Sequence, residues 1–132
     1  MKKQFTNAIV RPPGFSMIKG LSGTDLGVPN YFNARKQHAE YVKALEACDV
    51  KVKILRADER YPDSCFIEDV ALCTPHCAII TLPGAESRKG EIDAMSWIMK
   101  RYYSKIEYIN DPGTLEAGDV MMVGFFLLGG RR

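Results

Sequence analysis

A chain of 132 residues is long enough for one domain with its own core, and 46% hydrophobic with 26% charged residues is ordinary for a soluble globular protein. The formal net charge of +2, spread thinly, argues against a nucleic-acid surface. No apolar run approaches the roughly 20 residues of a membrane-spanning helix, so neither nucleic acid nor membrane is an expected partner.

The start, "MKKQFTNAIVRPPG", has no apolar stretch or small-residue cleavage site and is not a signal peptide. Lys2 and Lys3 are solvated terminal charges. Residues 5–11, "FTNAIVR", read as a first strand, stopped by Pro12 and Pro13. Residues 14–33 form a long loop rich in Gly, Ser and Pro. Its apolar residues (Phe15, Met17, Ile18, Leu21, Leu26, Val28, Tyr31, Phe32) predict a lid that packs down.

A helix is expected from about Asn33 to Cys48, with His38, Tyr41, Val42, Leu45 and Cys48 recurring at helical spacing. Residues 49–55, "DVKVKIL", alternate as a strand does. "CFIEDVALC" (65–73) and "CAIITL" (77–82) read as two strands joined by a tight turn over Thr74, Pro75 and His76. A second helix is expected over residues 90–103, with Ile92, Met95, Met99 and Tyr102 on one stripe. "KIEYI" (105–109) is a further strand, and "AGDVMMV" with "FFLLGG" reads as a strand pair around Gly124.

Strands arriving in twos and threes between helices do not form a strict βαβ alternation. A weak internal repeat points to a modular design. "FIEDVALCTPHCAIITLPG" and "LEAGDVMMVGFFLLGG" both carry Glu, then Asp-Val, then an apolar strand pair, giving a unit of strand, strand, helix, strand. The chain is read as a single domain or a partial one. From an apolar strand just before its end, with no later element to cover it, the chain is expected to be the first part of something larger.

Four cysteines, Cys48, Cys65, Cys73 and Cys77, lack scaffold-like spacing and are expected to be reduced thiols, mostly buried, in a cytoplasmic protein. "CTPHC" has no second Cys pair and reads as a turn, not a closed zinc site. Neither His38 nor His76 stands in a recognisable nucleophile and base pattern.

The informative segment is "YPDSCFIEDVALC", residues 61–73. Glu68 and Asp69 interrupt an apolar run, and neighbours on a strand point to opposite faces, so one acid is expected to face inward. The pattern returns at Glu116 and Asp119. Inward carboxylates without ligand histidines favour an organic cation, and a guanidinium matches carboxylates bidentately. An oxygen-ligated divalent metal is the competing idea, but the spacing fits no calcium loop. Arg88, in "LPGAESRKGE", would serve the carboxylate of an amino acid carrying such a guanidinium.

"PDSCFIEDVAL", "ITLPGAESRKGE" and "PGTLEAGDVMMVG", preceded in order by "IVRPPG", "GLSGTDLGVPNY" and "QHAEYVKALEACDV", resemble segments of the dimethylarginine dimethylaminohydrolases, in their bacterial form. The resemblance reaches to about Gly124. It implies the pentein fold, a five-bladed α/β propeller of ββαβ units, here its N-terminal part. It implies hydrolysis of dimethylarginine to citrulline and dimethylamine through a covalent Cys-His-Glu mechanism, with no cofactor and no metal. It gives Leu21 a place in the substrate lid and Asp63 one beside the amino-acid end of the substrate. Glu68 and Asp69 would line the guanidinium pocket, Arg88 would take the substrate carboxylate, and Glu116 would orient the catalytic histidine.

The family's catalytic histidine and nucleophilic cysteine match no residue here, so the chain alone is expected to be inactive. The ending "GFFLLGGRR" departs from the family pattern, and Arg131 and Arg132 are not equated with its second carboxylate-binding arginine. An arginine deiminase-like enzyme and a non-catalytic pentein binding module are the alternatives. A missing C-terminal half and self-association through uncovered strand edges are further expectations.

Overall fold

The computed structural model describes residues 5–123 and 126–129. The chain divides into two compact units, Met1–Ile67 and Glu68–Arg132.

The first unit contains β1 (Asn7–Val10), a 3-10 segment Phe15–Lys19, helix α1 (Tyr31–Ala47) and β2 (Lys51–Ile54). β1 and β2 pair in parallel, from Asn7 opposite Lys51 to Val10 opposite Ile54. α1 is the crossover between them and packs on β2 and on the 3-10 segment. It starts two residues before the expected Asn33 because Asn30 is its N-cap: the Asn33 N–H donates to the Asn30 side chain at 2.9 Å. It ends in a Schellman arrangement, with Asp49 N–H donating to the Glu46 carbonyl at 2.9 Å and Val50 N–H to the Leu45 carbonyl at 3.1 Å. Asp49 takes the left-handed position, φ 59°, that glycine usually fills. The inner stripe is Tyr31, Ala34, His38, Val42 and Leu45. Tyr41 and Cys48, expected on it, are exposed.

A 3-10 turn, Ile67–Val70, straddles the boundary and leads in the second unit to β3 (Ala71–Cys73) and β4 (Ala78–Ile80). After a short 3-10 turn, Glu86–Arg88, come helix α2 (Glu91–Met99) and β5 (Ile106–Tyr108). β4 is central, antiparallel to β3 and parallel to β5. A further 3-10 turn, Ala117–Asp119, leads into β6 (Val120–Val123), which pairs antiparallel with β7 (Phe126–Gly129). β3, β4, α2 and β5 realise the strand, strand, helix, strand unit inferred from the repeat. The second copy repeats its opening: a 3-10 turn and then an antiparallel pair. Gly124, about which the last pair was expected to turn, lies outside the described residues.

The core of this unit gathers Val70, Ile80, Leu82, Met95 and Met99, all buried. α2 packs on β4, and burial of a side chain such as Ile80 or Met95 is worth about 1.5–3 kcal/mol. Tyr102, expected on the helix stripe, falls beyond its end and is exposed.

One expected strand is corrected. Residues 65–70 are not extended. Glu68 and Asp69 occupy the 3-10 turn before β3, and the ladder starts only at Ala71 opposite Ile80. The chain turns here because Asp and Glu fit turns better than pleated strands. The Asp69 carbonyl accepts the Thr81 hydroxyl at 2.6 Å, fixing the turn against the edge of β4. The acids therefore do not alternate across a sheet, and Glu68 is exposed while Asp69 is partly buried.

Candidate active site

In the first unit, Leu21 and Asp63 come together. The Leu21 backbone N–H donates to both carboxylate oxygens of Asp63, at 3.1 and 3.2 Å, and Asp63 is buried. Glu59, which the sequence did not single out, holds the other end of the same segment: Phe15 N–H donates to it at 2.9 Å and Ser16 N–H at 2.8 Å. Those two N–H groups hold the Glu59 carboxyl below its usual pKa. A Cβ on Gly14 would stand 2.8 Å from the Glu59 carboxylate, and one on Gly20 would stand 2.6 Å from Asp63 Oδ1. The only sequence trace of these two contacts is the pair of glycines. Within residues 14–33, Met17 and Ile18 are partly buried, while residues 21–30 are all exposed, Leu26 at 89%.

In the second unit, Asp69 and Arg88 come together. Arg88 Nη1 donates to Asp69 Oδ2 at 2.5 Å, and the Arg88 side chain is 8% exposed against 19% for Asp69. Glu91, the first residue of α2, takes the other edge of the guanidinium. Nε donates to Oε1 and Nη2 to Oε2, both at 3.0 Å. Burial disfavours the Arg88 charge, but the hydrogen bonds it donates to Glu91 and Asp69 outweigh it and leave the pKa raised. Gly118 lies against this pair, since a Cβ there would run into the Asp69 carboxylate and meet Glu68 Cγ at 3.4 Å. Glu116, two residues before Gly118, accepts the Gly84 N–H at 3.0 Å. Residues 67–70 and 117–119 thus bring the two copies of the acidic motif side by side.

The remaining candidates carry less. His38 lies on the inner stripe of α1 with its pKa lowered, chiefly by burial and next by Arg35. His76 is exposed in the turn between β3 and β4, where Thr74 Oγ1 accepts its N–H at 3.2 Å. All four cysteines are free thiols, as expected, but Cys48 and Cys73 are exposed as residues. The Cys73 sulfur itself contacts Met99 at 3.9 Å, and burial pushes its thiol up. Among the described residues no group of three His, Cys, Asp or Glu side chains is placed to hold a metal ion. Nor is any described helix long and apolar enough to cross a membrane.

A family profile described as "N,N dimethylarginine dimethylhydrolase, eukaryotic" matches residues 30–124. The chain is 51% identical over 121 residues to the N(G),N(G)-dimethylarginine dimethylaminohydrolase of Pseudomonas aeruginosa, covering 91% of this chain and 48% of that protein. It is 32% identical over 125 residues to the enzyme of the same name from Streptomyces coelicolor, covering 94% and 48%. Among solved structures, a cysteine-to-serine mutant of the Pseudomonas aeruginosa enzyme complexed with citrulline superposes with a TM-score of 0.94 at 49% identity, covering 96% of this chain and 50% of that one. The N-terminal domain of ArgZ, a cyanobacterial arginine dihydrolase, superposes with a TM-score of 0.85 at 15% identity, covering 97% and 49%, which speaks to the fold alone. The chain spans about half the length of the curated relatives it matches. Its fold is a portion of the pentein-type α/β propeller. With the family profile covering most of the sequence and half the residues shared with a curated relative, the chain belongs to the dimethylarginine dimethylaminohydrolase family.

Proposed function

We propose that this chain contributes the substrate-binding acids of a dimethylarginine dimethylaminohydrolase. In the whole protein the reaction would convert dimethylarginine to citrulline and dimethylamine. Asp69 is the direct partner of the substrate guanidinium and Glu68 lines the pocket beside it. Arg88 takes the substrate carboxylate, Asp63 serves the amino-acid end, Leu21 belongs to the lid, and Glu116 orients the catalytic histidine. The observation that carries this reading is that Asp69 already holds a guanidinium, that of Arg88, in a charge-assisted hydrogen bond. Its physical logic is positioning: carboxylates that fix a planar cation present its central carbon to a thiolate, and a histidine moves the protons.

The 132-residue chain has no residue assigned as nucleophile or histidine base, so it binds without turning over. The test is a titration of the purified chain with Nω,Nω-dimethylarginine, L-arginine and citrulline, followed by calorimetry, together with an assay for citrulline. Saturable binding without citrulline formation is expected. Citrulline formation would refute the inactivity, and no binding of any of the three would refute the pocket. Exposed apolar side chains, among them Trp97, Tyr108, Met121 and Leu128, support self-association of the chain. Sedimentation that shows only monomer across micromolar concentrations would refute that part.

A further inference from the structure

Glu91 closes the segment "LPGAESRKGE" but has no role there or among those the resemblance implies, yet it is only 3% exposed. It stands three residues after Arg88, where the Glu86–Arg88 turn runs into α2, so the two side chains share a face. Its two oxygens meet Nε and Nη2 of Arg88, both at 3.0 Å. A two-point fork fixes the plane of a guanidinium as well as its position. With that edge held, Nη1 is directed at Asp69. Among the described contacts, this guanidinium gives two donors to Glu91 and one to Asp69.

We propose that Glu91 is a positioning residue of the guanidinium site. It fixes the plane of Arg88 and draws part of its charge away from Asp69, so that Asp69 remains able to accept the guanidinium of a bound arginine derivative. This rests on the pocket reading above. With Glu91 charged, an incoming guanidinium competes with a single Arg88 donor for Asp69. With Glu91 neutral, the charge of Arg88 shifts toward Asp69 and the guest must displace a stronger ion pair. The same fork keeps Arg88 from following Asp69 when the guest arrives.

The test uses the 132-residue chain labelled with nitrogen-15, the probes methylguanidinium chloride and L-arginine, and the variants Glu91→Gln and Glu91→Asp. In the unsubstituted chain the Arg88 Nε–H resonance should persist at neutral pH while those of exposed arginines exchange away. In Glu91→Gln it should broaden, and the dissociation constant for methylguanidinium should rise roughly tenfold, as befits the loss of one neighbouring carboxylate charge. Glu91→Asp, which keeps the charge, should recover most of that affinity. A purely structural Glu91 would lower the thermal midpoint in Glu91→Gln and leave the affinity unchanged, which overturns the proposal. If Glu91→Gln does not fold, the unsubstituted chain decides. Nε–H protection that survives saturation with methylguanidinium supports the proposal, and protection that is absent or lost on saturation overturns it. A chain that shows the protected Nε–H but binds neither probe refutes the pocket itself, and the role of Glu91 in it falls too. Binding that is equal in all three chains refutes only the role of Glu91.

Discussion

Replacing Gly20 with alanine sets two effects of opposite sign against each other. Gly20 has φ −63° and ψ 163°, a conformation alanine adopts without strain. Reduced freedom of the unfolded chain should therefore stabilise by about 0.4–1 kcal/mol. Against this, the new Cβ would stand 2.6 Å from Asp63 Oδ1 and 3.1 Å from the Met17 carbonyl. Asp63 is short and 7% exposed, so its carboxylate has little room to swing aside. It must retreat from the Leu21 N–H it now accepts at 3.1 and 3.2 Å. A hydrogen bond to a charged group contributes about 1.5–3 kcal/mol. The net loss is about 1–2 kcal/mol, which corresponds to a factor of about 5–30 in a local opening equilibrium. Amide hydrogen exchange at Leu21, followed by NMR, reads that factor directly. In an Asp63→Ala background only the milder contact with the Met17 carbonyl at 3.1 Å remains, and the same Gly20→Ala change should cost markedly less. Equal effects of Gly20→Ala in the two backgrounds would refute the claim that Gly20 is small for the sake of Asp63.

Three further outcomes follow from the same geometry. Thr81→Val removes the hydroxyl by which the fully buried Thr81 meets the Asp69 carbonyl at 2.6 Å, and should cost about 1–3 kcal/mol in urea unfolding; a loss below about 0.5 kcal/mol would contradict it. Gly118→Ala drives a Cβ into the Asp69 carboxylate, so L-arginine affinity should fall about tenfold or more, and undiminished binding in calorimetry would place Asp69 outside the pocket. The folded-state pKa of Glu59 is depressed, so its hold on Phe15 and Ser16 is present above the ordinary value of 4.5 and lost as pH falls through the lower folded value. The Phe15 and Ser16 amide shifts should accordingly titrate together below pH 4.5 and stop doing so in Glu59→Gln; a midpoint at or above 4.5 counts against the contact.

Periodicity carried the reading where one physical term dominated. α1 and α2 follow from apolar spacing and β2 from its alternation, although within β2 only Val52 is partly buried and Ile54 is exposed. The repeated ββαβ plan was legible from the returning Glu and Asp-Val pattern. The same pattern misplaced the acids. Phe66, Ile67, Val70, Ala71 and Leu72 look like one strand, but side-chain identity does not reveal where the backbone hydrogen bonds go. Here the Phe66 N–H closes a turn on Asp63, and only residues 71–73 join the ladder. The start of α1 was missed by two residues because the cap Asn30 sits amid other loop-forming residues. Glu59 and Glu91 were invisible for a different reason. Each looks like an ordinary surface acid in sequence, and only the approach of the Phe15 and Ser16 amides, or of the Arg88 fork, gives it a role.

The placement of the acids on 3-10 turns, one step ahead of the strands, separates two kinds of inheritance. The sheet of β3 and β4 depends on Ala71, Leu72 and Cys73 finding Ile80, Ile79 and Ala78. Glu68 and Asp69, to which the proposed pocket gives its ligand, contribute nothing to that ladder. A duplicated module of this kind can exchange the residues of its leading turn while the pairing that folds it passes on unchanged.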